Sequence, residues 1–488
     1  MSGPTSESAP QVFSKLRSLI RPAVYLSQNL ISRTGVVLAT TAGITLVFAF
    51  ILLIFGFQPN PYAGIVVFMI LPSILALGLI LIPIGIVRDL RRFRRLGTLP
   101  ANYPTVDFSN QGVRRTALFI AVMTAINIPI FAFATYSGTV FMESTQFCGQ
   151  TCHKVMDPEY TAYQRSAHAR VACVVCHIGP GAPWFVRSKL SGSYQVLAVT
   201  FNLYPRPIPV PIHNLRPARE TCEQCHWPER FSGDKLVVKT KYGDDEKNSA
   251  TKTVLLVHIG GRNPDSRLVG IHGRHLGLVT YIAGDAKRQE IPWVSHRNAD
   301  GTVTEYASTD TPPKAELVAN GERRTMDCMD CHNRPTHTFD LPENAVNREM
   351  MEGRISPNLP FIHKEAIELL KVNYRSRLAA ETELPEALRE YYRKNYFALY
   401  NSQRAAIESA AKGILYIYEG NVFPEMNITW GSYPNNLGHT DFPGCFRCHD
   451  GNHKAKDGKE ITQDCNACHS LLAMDEPDPK ILHELAGN

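Results

Sequence analysis

Three long apolar runs separated by polar joints fill most of the first 140 residues, and the chain after them is predominantly polar. The runs cover residues 35–57, 62–87 and 116–136, and none contains a charged side chain. About 20 helical residues, each rising about 1.5 Å, cross a hydrocarbon core roughly 30 Å thick. The pattern therefore predicts a three-helix membrane anchor over 35–137, preceded by a tail over 1–34.

The charges beside these runs predict the orientation of the anchor. The loop between the second and third runs is rich in arginine, whereas the joint at 58–61 has no charge. Lys and Arg near helix ends are enriched on the cytoplasmic side. We therefore expect the tail to be cytoplasmic and the chain after Tyr136 to be periplasmic. The arginines of the loop are Arg88, Arg91, Arg92, Arg94, Arg95, Arg114 and Arg115.

The polar part has two further patterns. Short alternating runs, such as 236–242 and 253–259, predict a small β subdomain that is either a scaffold or a docking surface. From 360 to 413 the apolar spacing is helical, and Ala366, Leu369 and Leu370 are core candidates. With the cysteine motifs below, these patterns divide the chain into haem-bearing segments at 138–232 and 326–488 and a β-rich insert at 233–325.

All twelve cysteines follow the anchor, and they form six pairs, each with a histidine directly after the second cysteine. Two thiols about one helical turn apart can each bond a haem vinyl group, and the adjacent imidazole can then reach the iron. Disulfides, zinc sites and redox-active cysteine pairs do not require that histidine. We predict six covalently bound haem c groups, the first on a motif with three residues between its cysteines. The motifs are Cys148, Cys152 and His153; Cys173, Cys176 and His177; Cys222, Cys225 and His226; Cys328, Cys331 and His332; Cys445, Cys448 and His449; and Cys465, Cys468 and His469.

Each haem iron has a second axial position, for which histidines outside the motifs are the first candidates. Four of them lie close to a motif in sequence, so short local chain can deliver them. Two others share one short segment after Gly270, and we expect one of these to complete a fifth pair. The candidate ligands are His168, His337, His439 and His453, then His275 or else His272, and Met156 for the first haem unless it only packs against the porphyrin.

With these motifs the chain resembles the NapC/NirT family of membrane-bound multihaem quinol dehydrogenases. The resemblance lies in FCGQTCH at 147–153, HARVACVVCHIGP at 168–180 and RPARETCEQCH at 216–226. The three-helix anchor, NPYAG at 60–64 and GCFRCHDGNH at 444–453 resemble a longer branch associated with anaerobic respiration. The better known members have one anchor helix and four haems, so they do not describe the second half of the chain.

The resemblance implies a bacterial inner-membrane protein whose first haem takes electrons from menaquinol or ubiquinol. It also places a lysine beside the quinol, and Lys189 occupies the matching position; in a plainer interpretation Lys189 anchors a surface helix. The family expects an acidic residue one to two helical turns later, yet 191–203 contains none. Asp157 is our substitute as proton acceptor.

The predicted fold is thus an α-rich membrane anchor with three transmembrane helices. It is followed by a multihaem cytochrome c domain of little regular structure, with a small β subdomain and a C-terminal helical segment. The predicted function is quinol oxidation and electron relay, with the quinol pool, the lipid bilayer, and periplasmic cytochromes or a terminal reductase as partners, and no nucleic acid. The alternatives are a terminal reductase with an open haem site, and a conduit or sensor subunit fed by a separate membrane partner.

Overall fold

Apolar helices make up the first of two units into which the chain folds, Met1–Thr151, and the second unit is Cys152–Asn488. The computed structural model describes residues 26–54, 66–97, 111–151, 153–212, 215–227, 233–262 and 268–487. The first 25 residues of the predicted tail, the NPYAG segment and Cys152 lie outside the described residues.

The first unit contains three long helices, one for each apolar run of the sequence. Two of them, over Leu30–Ile51 and Leu71–Leu96, are long and apolar enough to cross a membrane. The third run lies within α3, for which spanning stays a prediction. The helices are α1 (Leu30–Ile54), α2 (Leu71–Leu96) and α3 (Gln111–Met142), with π-helical turns at Val66–Ile70 and Phe147–Thr151.

Helices α1 and α2 pack closely because small residues line their contact. A Cβ atom on Gly35 would lie only 2.7 Å from the carbonyl oxygen of Gly78. Nearby, the Ser32 hydroxyl donates a hydrogen bond to the carbonyl oxygen of Ile82 at 3.0 Å. Close backbone approach and hydrogen bonds between helices are the usual means of association where both helices face lipid.

Helix α2 continues well beyond its apolar run. Five of the seven arginines, from Arg88 to Arg95, lie on its last turns, and Gly97 ends it in the left-handed conformation with φ 64°. The prediction that these five occupy a loop is therefore wrong. The apolar pattern marks where hydrocarbon ends, whereas arginine is a good helix former and its charge is favoured near a helix C-terminus.

The second unit combines short helices that carry the motifs, small sheets and a helical subdomain. Its helices are α4 (His153–Gln164), α5 (Cys173–His177), α6 (Ala182–Thr200), α7 (Ala218–Cys222), α8 (Gly270–His275), α9 (Ala315–Asn320), α10 (Cys328–Cys331), α11 (Pro342–Met351), α12 (Ile362–Leu370), α13 (Arg377–Asn395), α14 (Phe397–Ser402), α15 (Arg404–Asn421) and α16 (Lys480–Ala486), with 3-10 turns at Pro424–Met426, Gly444–Arg447 and Cys465–Ala467. Its strands are β1 (Lys235–Tyr242), β2 (Ala250–Val257), β3 (Gly261–Arg262), β4 (Leu268–Val269), β5 (Val279–Ile282), β6 (Trp293–Arg297), β7 (Val303–Ser308), β8 (Arg324–Thr325), β9 (His453–Ala455) and β10 (His469–Glu476).

The strands form three antiparallel sheets, with the orders β1-β2-β10, β3-β4 and β8-β5-β6-β7-β9. Eight strands lie in the segment for which the alternating pattern predicted a β subdomain. The other two come from the C-terminal segment. In the three-stranded sheet, His469 at the start of β10 pairs with Val257, which pairs with Lys235. The histidine of the sixth motif is therefore held by strands from the middle of the chain.

Helices α11 to α15 enclose the largest buried core of the described chain. The predicted core residues Ala366 and Leu370 are fully buried there, and Leu369 packs against them from the edge. Helix α13 begins at Ser376, whose side chain accepts a hydrogen bond from the Ala379 amide, as an N-cap residue does. This subdomain lies between the fourth and fifth motifs and contains no cysteine.

Candidate functional site

The third, fourth and fifth motifs share one local geometry in which a helical turn brings the cysteines and the histidine together. The amide of His226 donates to the carbonyl oxygen of Cys222 at 2.8 Å, and that of His332 donates to Cys328 at the same distance. The equivalent bond closes the fifth motif at 3.1 Å. A turn of this kind is what two thioether attachments and an adjacent iron ligand require.

The fourth motif is built around a buried carboxylate. Helix α10 has a capping box: Asp327 accepts from the Met329 amide, and the Asp330 carboxylate accepts from the Asp327 amide. Asp330 also accepts from the Tyr281 hydroxyl and from the Arg324 guanidinium, both at 2.7 Å. These bonds satisfy a side chain that lies between the two cysteines and is only 3% exposed.

Neighbouring motifs contact one another directly. The side chains of Cys222 and Cys328 come into contact, which joins the third motif to the fourth. Arg447, within the fifth motif, donates to the backbone oxygen of Asp330 at 2.6 Å and so joins the fourth to the fifth. Helix α7 packs against both α5 and α10. The second to fifth motifs therefore adjoin one another in the order of the chain.

Five of the six motif histidines face a histidine from outside the motifs. Two imidazoles on opposite sides of one iron would have ring centres about 6 Å apart, given metal–nitrogen bonds of about 2 Å. The observed centroid distances all lie close to this value. The pairs are His177 with His337 at 6.2 Å, His226 with His168 at 5.9 Å, His332 with His272 at 6.4 Å, His449 with His275 at 5.8 Å, and His469 with His439 at 6.1 Å.

Hydrogen bonds through Nδ1 hold several of these rings in place. The Nδ1 atoms of His275, His337 and His449 lie 2.7 to 2.9 Å from backbone carbonyl oxygens. A carbonyl only accepts, so Nδ1 must carry the hydrogen and Nε2 keeps a free lone pair. Burial lowers the pKa of His177, His275 and His337, which keeps these rings neutral, as metal ligands must be.

The partners are not the ones that sequence proximity predicts. His168 precedes the second motif by only a few residues, yet it faces His226 of the third. His337 follows the fourth motif but faces His177 of the second. His439, close to the fifth motif, faces the histidine of the sixth and stacks on Phe446 at 4.2 Å. The expectation of local delivery is thus not met, because loops return each of these histidines to a different motif.

Both histidines of α8 face a motif, whereas the sequence led us to expect one. His272 faces the fourth motif and His275 the fifth, three residues apart on one helix. The spacing i, i+3 on a helix puts both rings on one face, and this signal was available in the segment GIHGRH. The single helix α8 thereby supplies partners to two adjoining motifs.

Two glycines position α8. Gly260 and Gly270 have φ of 56° and 65°, in the left-handed region. A Cβ atom on Gly270 would lie 2.5 Å from the Cα atom of Gly260 and 2.6 Å from the carbonyl oxygen of His258. Real Cβ atoms do not approach backbone so closely, so only glycine fits at this crossing.

We therefore expect Gly270→Ala to lower the free energy of unfolding by about 3 kcal/mol, because it adds backbone strain and a backbone clash. Guanidinium-induced unfolding of the purified protein measures this. Gly301→Ala is the matched control: Gly301 has φ 85° but nothing within 4 Å of its Cβ position, so about 1 kcal/mol is expected. Equal costs at the two positions would contradict a special role for the crossing.

His453 has different surroundings from the paired histidines. Its Nδ1 lies 2.8 Å from a carboxylate oxygen of Asp450, and its Nε2 lies 2.6 Å from the carbonyl oxygen of Ile291. Both acceptors need a hydrogen from the ring, so neither nitrogen has a lone pair to offer an iron. These contacts argue against His453 as an iron ligand and make it a support for β9.

The remaining described histidines outside the motifs also bond to protein side chains. They are His258 with Asp234, His296 with Asn298, His363 with Asp244 and His483 with Asp478. None of these four has a ring contact with a motif histidine among the described residues. His213 lies outside the described residues.

The first motif is described only in part, because nothing is described of Cys152 or of the His153 side chain. Met156, its predicted partner, is half-buried one turn further along α4. Asp157, the predicted proton acceptor, forms an ion pair with Arg377 at 2.8 Å and accepts from the Thr161 hydroxyl at 3.3 Å. Its carboxylate is thus already engaged by a guanidinium and a hydroxyl group.

Lys189 lies on α6, a helix with an exposed apolar face. Leu190 and Tyr194 are 70% and 68% exposed on it, and Phe201 continues the face beyond the C-terminal end. The Lys189 ammonium is half-buried against the ring of Phe185, 4.7 Å from its centroid. A half-buried cation beside an apolar face suits contact with a membrane interface.

None of the eleven described cysteines is in a disulfide. Burial raises the pKa of the Cys331 thiol to about 11 and that of Cys448 to about 12. Zinc requires thiolates and usually four protein ligands. Within the described ranges no three histidine, cysteine or acidic side chains come together as a metal cluster.

Known proteins are similar to this chain, one of them over most of its length. Residues 111–206 match the NapC/NirT cytochrome c family, N-terminal region. Cytochrome c-type protein ImcH of Geobacter sulfurreducens is 44% identical over 474 residues, which cover 96% of this chain and 93% of ImcH. Cytochrome c-type protein NrfH of Wolinella succinogenes is 27% identical over 110 residues, or 22% of this chain and 62% of NrfH. No solved structure matches.

Proposed function

Because the chain belongs to the NapC/NirT cytochrome c family, we propose that it is a membrane-anchored hexahaem cytochrome that oxidises membrane quinol and relays electrons to periplasmic acceptors in anaerobic respiration. The observation that carries this proposal is the set of five imidazole pairs, each with one motif histidine. When bound, each haem supplies reversible one-electron redox chemistry. The chain supplies attachment, axial ligands and a fixed order of sites.

The proposed ligand set follows from the pairs. His177, His226, His332, His449 and His469 act from the motifs, and His337, His168, His272, His275 and His439 act from the opposite sides in that order. His153 and Met156 complete the first site. His272 replaces His453 in the set that the sequence alone favoured. With both axial positions filled at each paired site, a terminal reductase has no open position there, which favours electron relay.

The number of haems is directly measurable. We expect the intact mass of the purified protein to exceed that of the polypeptide by six haem groups, and a pyridine haemochrome assay to count six per chain. Cys152→Ser should weaken attachment at the first motif, since one of its two thioether bonds is lost. Five groups in the unaltered protein, or fewer, would contradict the proposed set.

We further propose three transmembrane spans, with α3 as the third, in a bacterial inner membrane. The arginines at the end of α2 support a cytoplasmic location for that end and hence for the N-terminal tail. The motif-bearing unit is then periplasmic, the oxidising compartment in which cysteine chemistry of this kind is completed. Reporter fusions at residue 97 and at the C-terminus test the two locations.

For the quinol site we propose Lys189, on the basis of its position in α6. Its ammonium can donate a hydrogen bond to a quinol oxygen, and the exposed face with Leu190 and Tyr194 can lie against lipid. Asp157 is the proposed proton acceptor, but its ion pair with Arg377 must first open. Menaquinol or ubiquinol would both meet these requirements.

The sequential contacts among the motifs support a path from the second site to the fifth. His439 stacks on Phe446 of the fifth motif and faces His469, which supports an extension of the path to the sixth. Cys222 adjoins Cys328, Arg447 joins the next two motifs, and α8 serves the fourth and fifth together. Electron donation to the partner, a periplasmic cytochrome or a terminal reductase, is proposed from the sixth site because it ends this order.

A further inference from the structure

A buried ion pair lies beside the second site. Arg334 is 8% exposed, and its Nη2 atom lies 3.3 and 3.4 Å from the two carboxylate oxygens of Glu159. The guanidinium also lies over the ring of Tyr433, 4.3 Å from its centroid, and 5.1 Å from that of Phe339. Burying two charges costs free energy that their mutual attraction only partly offsets. Stability alone therefore does not explain why this pair is buried.

Both members of the pair touch His337, which faces His177 across the second site. The backbone oxygen of Glu159 accepts from Nδ1 of His337 at 2.9 Å, and a carboxylate oxygen of the same residue lies 3.3 Å from that nitrogen. Arg334 donates through Nε to the backbone oxygen of His337 at 2.6 Å. The residues of one anion, Glu159, and one cation, Arg334, therefore both contact His337.

We propose that Glu159 and Arg334 are positioning residues that set the reduction potential of the haem between His177 and His337 by acting on it with opposite signs. This inference rests on the proposed function. A carboxylate near Nδ1 makes the imidazole a stronger electron donor, and its charge favours the ferric state. The guanidinium charge favours the ferrous state. Both effects are large because the groups lie away from water.

A merely mechanical role makes a different prediction. If the pair only fastened the 332–339 loop to α4, loss of either partner would loosen His337 in the same way. The two substitutions would then move the potential in one direction or convert the haem to high-spin. Opposite shifts arise only if the charges themselves act on the iron.

The test is a redox titration of the full-length protein in detergent, followed by electron paramagnetic resonance. We expect Glu159→Gln to raise the midpoint potential of one low-spin component and Arg334→Gln to lower that of the same component. The double variant should return it close to the unaltered value. The component is identified by its loss in His337→Ala.

Two controls keep the outcome decisive. Arg334→Lys retains the charge and should leave the potential near that of the unaltered protein. Arg389→Gln breaks an ion pair with Glu408 in the helical subdomain, whose partners lie 2.8 Å apart, and should shift no component. If Arg334→Gln does not fold, an upward shift in Glu159→Gln without one in Arg334→Lys still supports the proposal.

Shifts in the same direction for both charge-removing variants, or none, overturn the inference if the haem count is complete. An equal shift in Glu159→Gln and Arg334→Lys overturns it as well. If the unaltered protein has no haem on the second motif, the proposed function fails instead, and the haem count separates this case from the others.

Discussion

Substitution of His272 by alanine is expected to convert one haem from low-spin to high-spin while the other five keep their spectra. His272 faces His332 at a ring-centroid distance of 6.4 Å, so its removal leaves one axial position of the fourth site without a protein ligand. Electron paramagnetic resonance of the oxidised protein should lose one low-spin signal and gain one high-spin signal. The reduced protein should then bind one carbon monoxide per chain.

The matched control is His453→Ala. His453 is buried at 2% exposure, whereas His272 is half-buried, and both ring nitrogens of His453 bond to protein acceptors. We expect a loss of about 1–3 kcal/mol of stability from the acceptors left unpaired, with every haem still low-spin. A high-spin haem in His453→Ala, together with an unchanged spectrum in His272→Ala, would reverse the proposed assignment. Added imidazole should restore the low-spin signal in His272→Ala.

The same spectra bear on the terminal-reductase alternative. A relay with two axial ligands at every iron has no place for a small substrate. A high-spin haem in the unaltered protein that binds nitrite or hydroxylamine would therefore support the reductase instead. The first site is where this would arise, since its predicted partner is a methionine and not a histidine.

Lys189→Ala is expected to slow reduction of the protein by a menaquinol analogue about 10- to 150-fold. A hydrogen bond to a charged group contributes about 1.5–3 kcal/mol, and each 1.36 kcal/mol in the barrier is about tenfold in rate. The measurement mixes the oxidised protein in detergent with the analogue and follows haem reduction optically. Dithionite must reduce all haems equally in both proteins.

Arg187→Ala is the control for this experiment. Arg187 lies on the same helix, over the ring of Trp184 at 5.3 Å, and it is also a cation of the predicted interface. A general loss of interfacial charge would slow both variants alike, whereas a quinol contact slows only Lys189→Ala. No reduction of the unaltered protein by quinol would favour the conduit fed by a separate membrane partner. The absence of acid at 191–203 and the Asp157–Arg377 ion pair leave room for that outcome.

Haem attachment could be predicted from the sequence because each motif consists of neighbouring residues. Two thiols and a histidine must follow one another within a helical turn to hold one haem, so the spacing of the motif identifies the residues that are predicted to do so. The candidate membrane helices could be predicted for a similar reason, since a continuous apolar run is a property of neighbouring residues. The alternation that predicted β1 and β2 and the spacing that predicted α12 belong to the same class of signal.

The partners across each site depend on the tertiary structure. His168, His337 and His439 each lie near one motif in sequence but face another, because a fold can bring any loop to any site once the helices around it are packed. The pairing of β10 with β2, more than 200 residues away, places His469 in the same manner. No local pattern encodes such a return of the chain.

The sequence by itself thus predicted which residues attach haem and how many sites there are, and it indicated that the chain enters a membrane, because each of these predictions rests on side chains close together along the chain. Only the tertiary structure decided that both His272 and His275 face motifs, that His453 does not, and that Glu159 and Arg334 meet at His337. Those relations depend on which acceptor bonds to each ring nitrogen and on which distant segment packs against the motif. Both are set by distances in the folded protein and not by spacing along the chain.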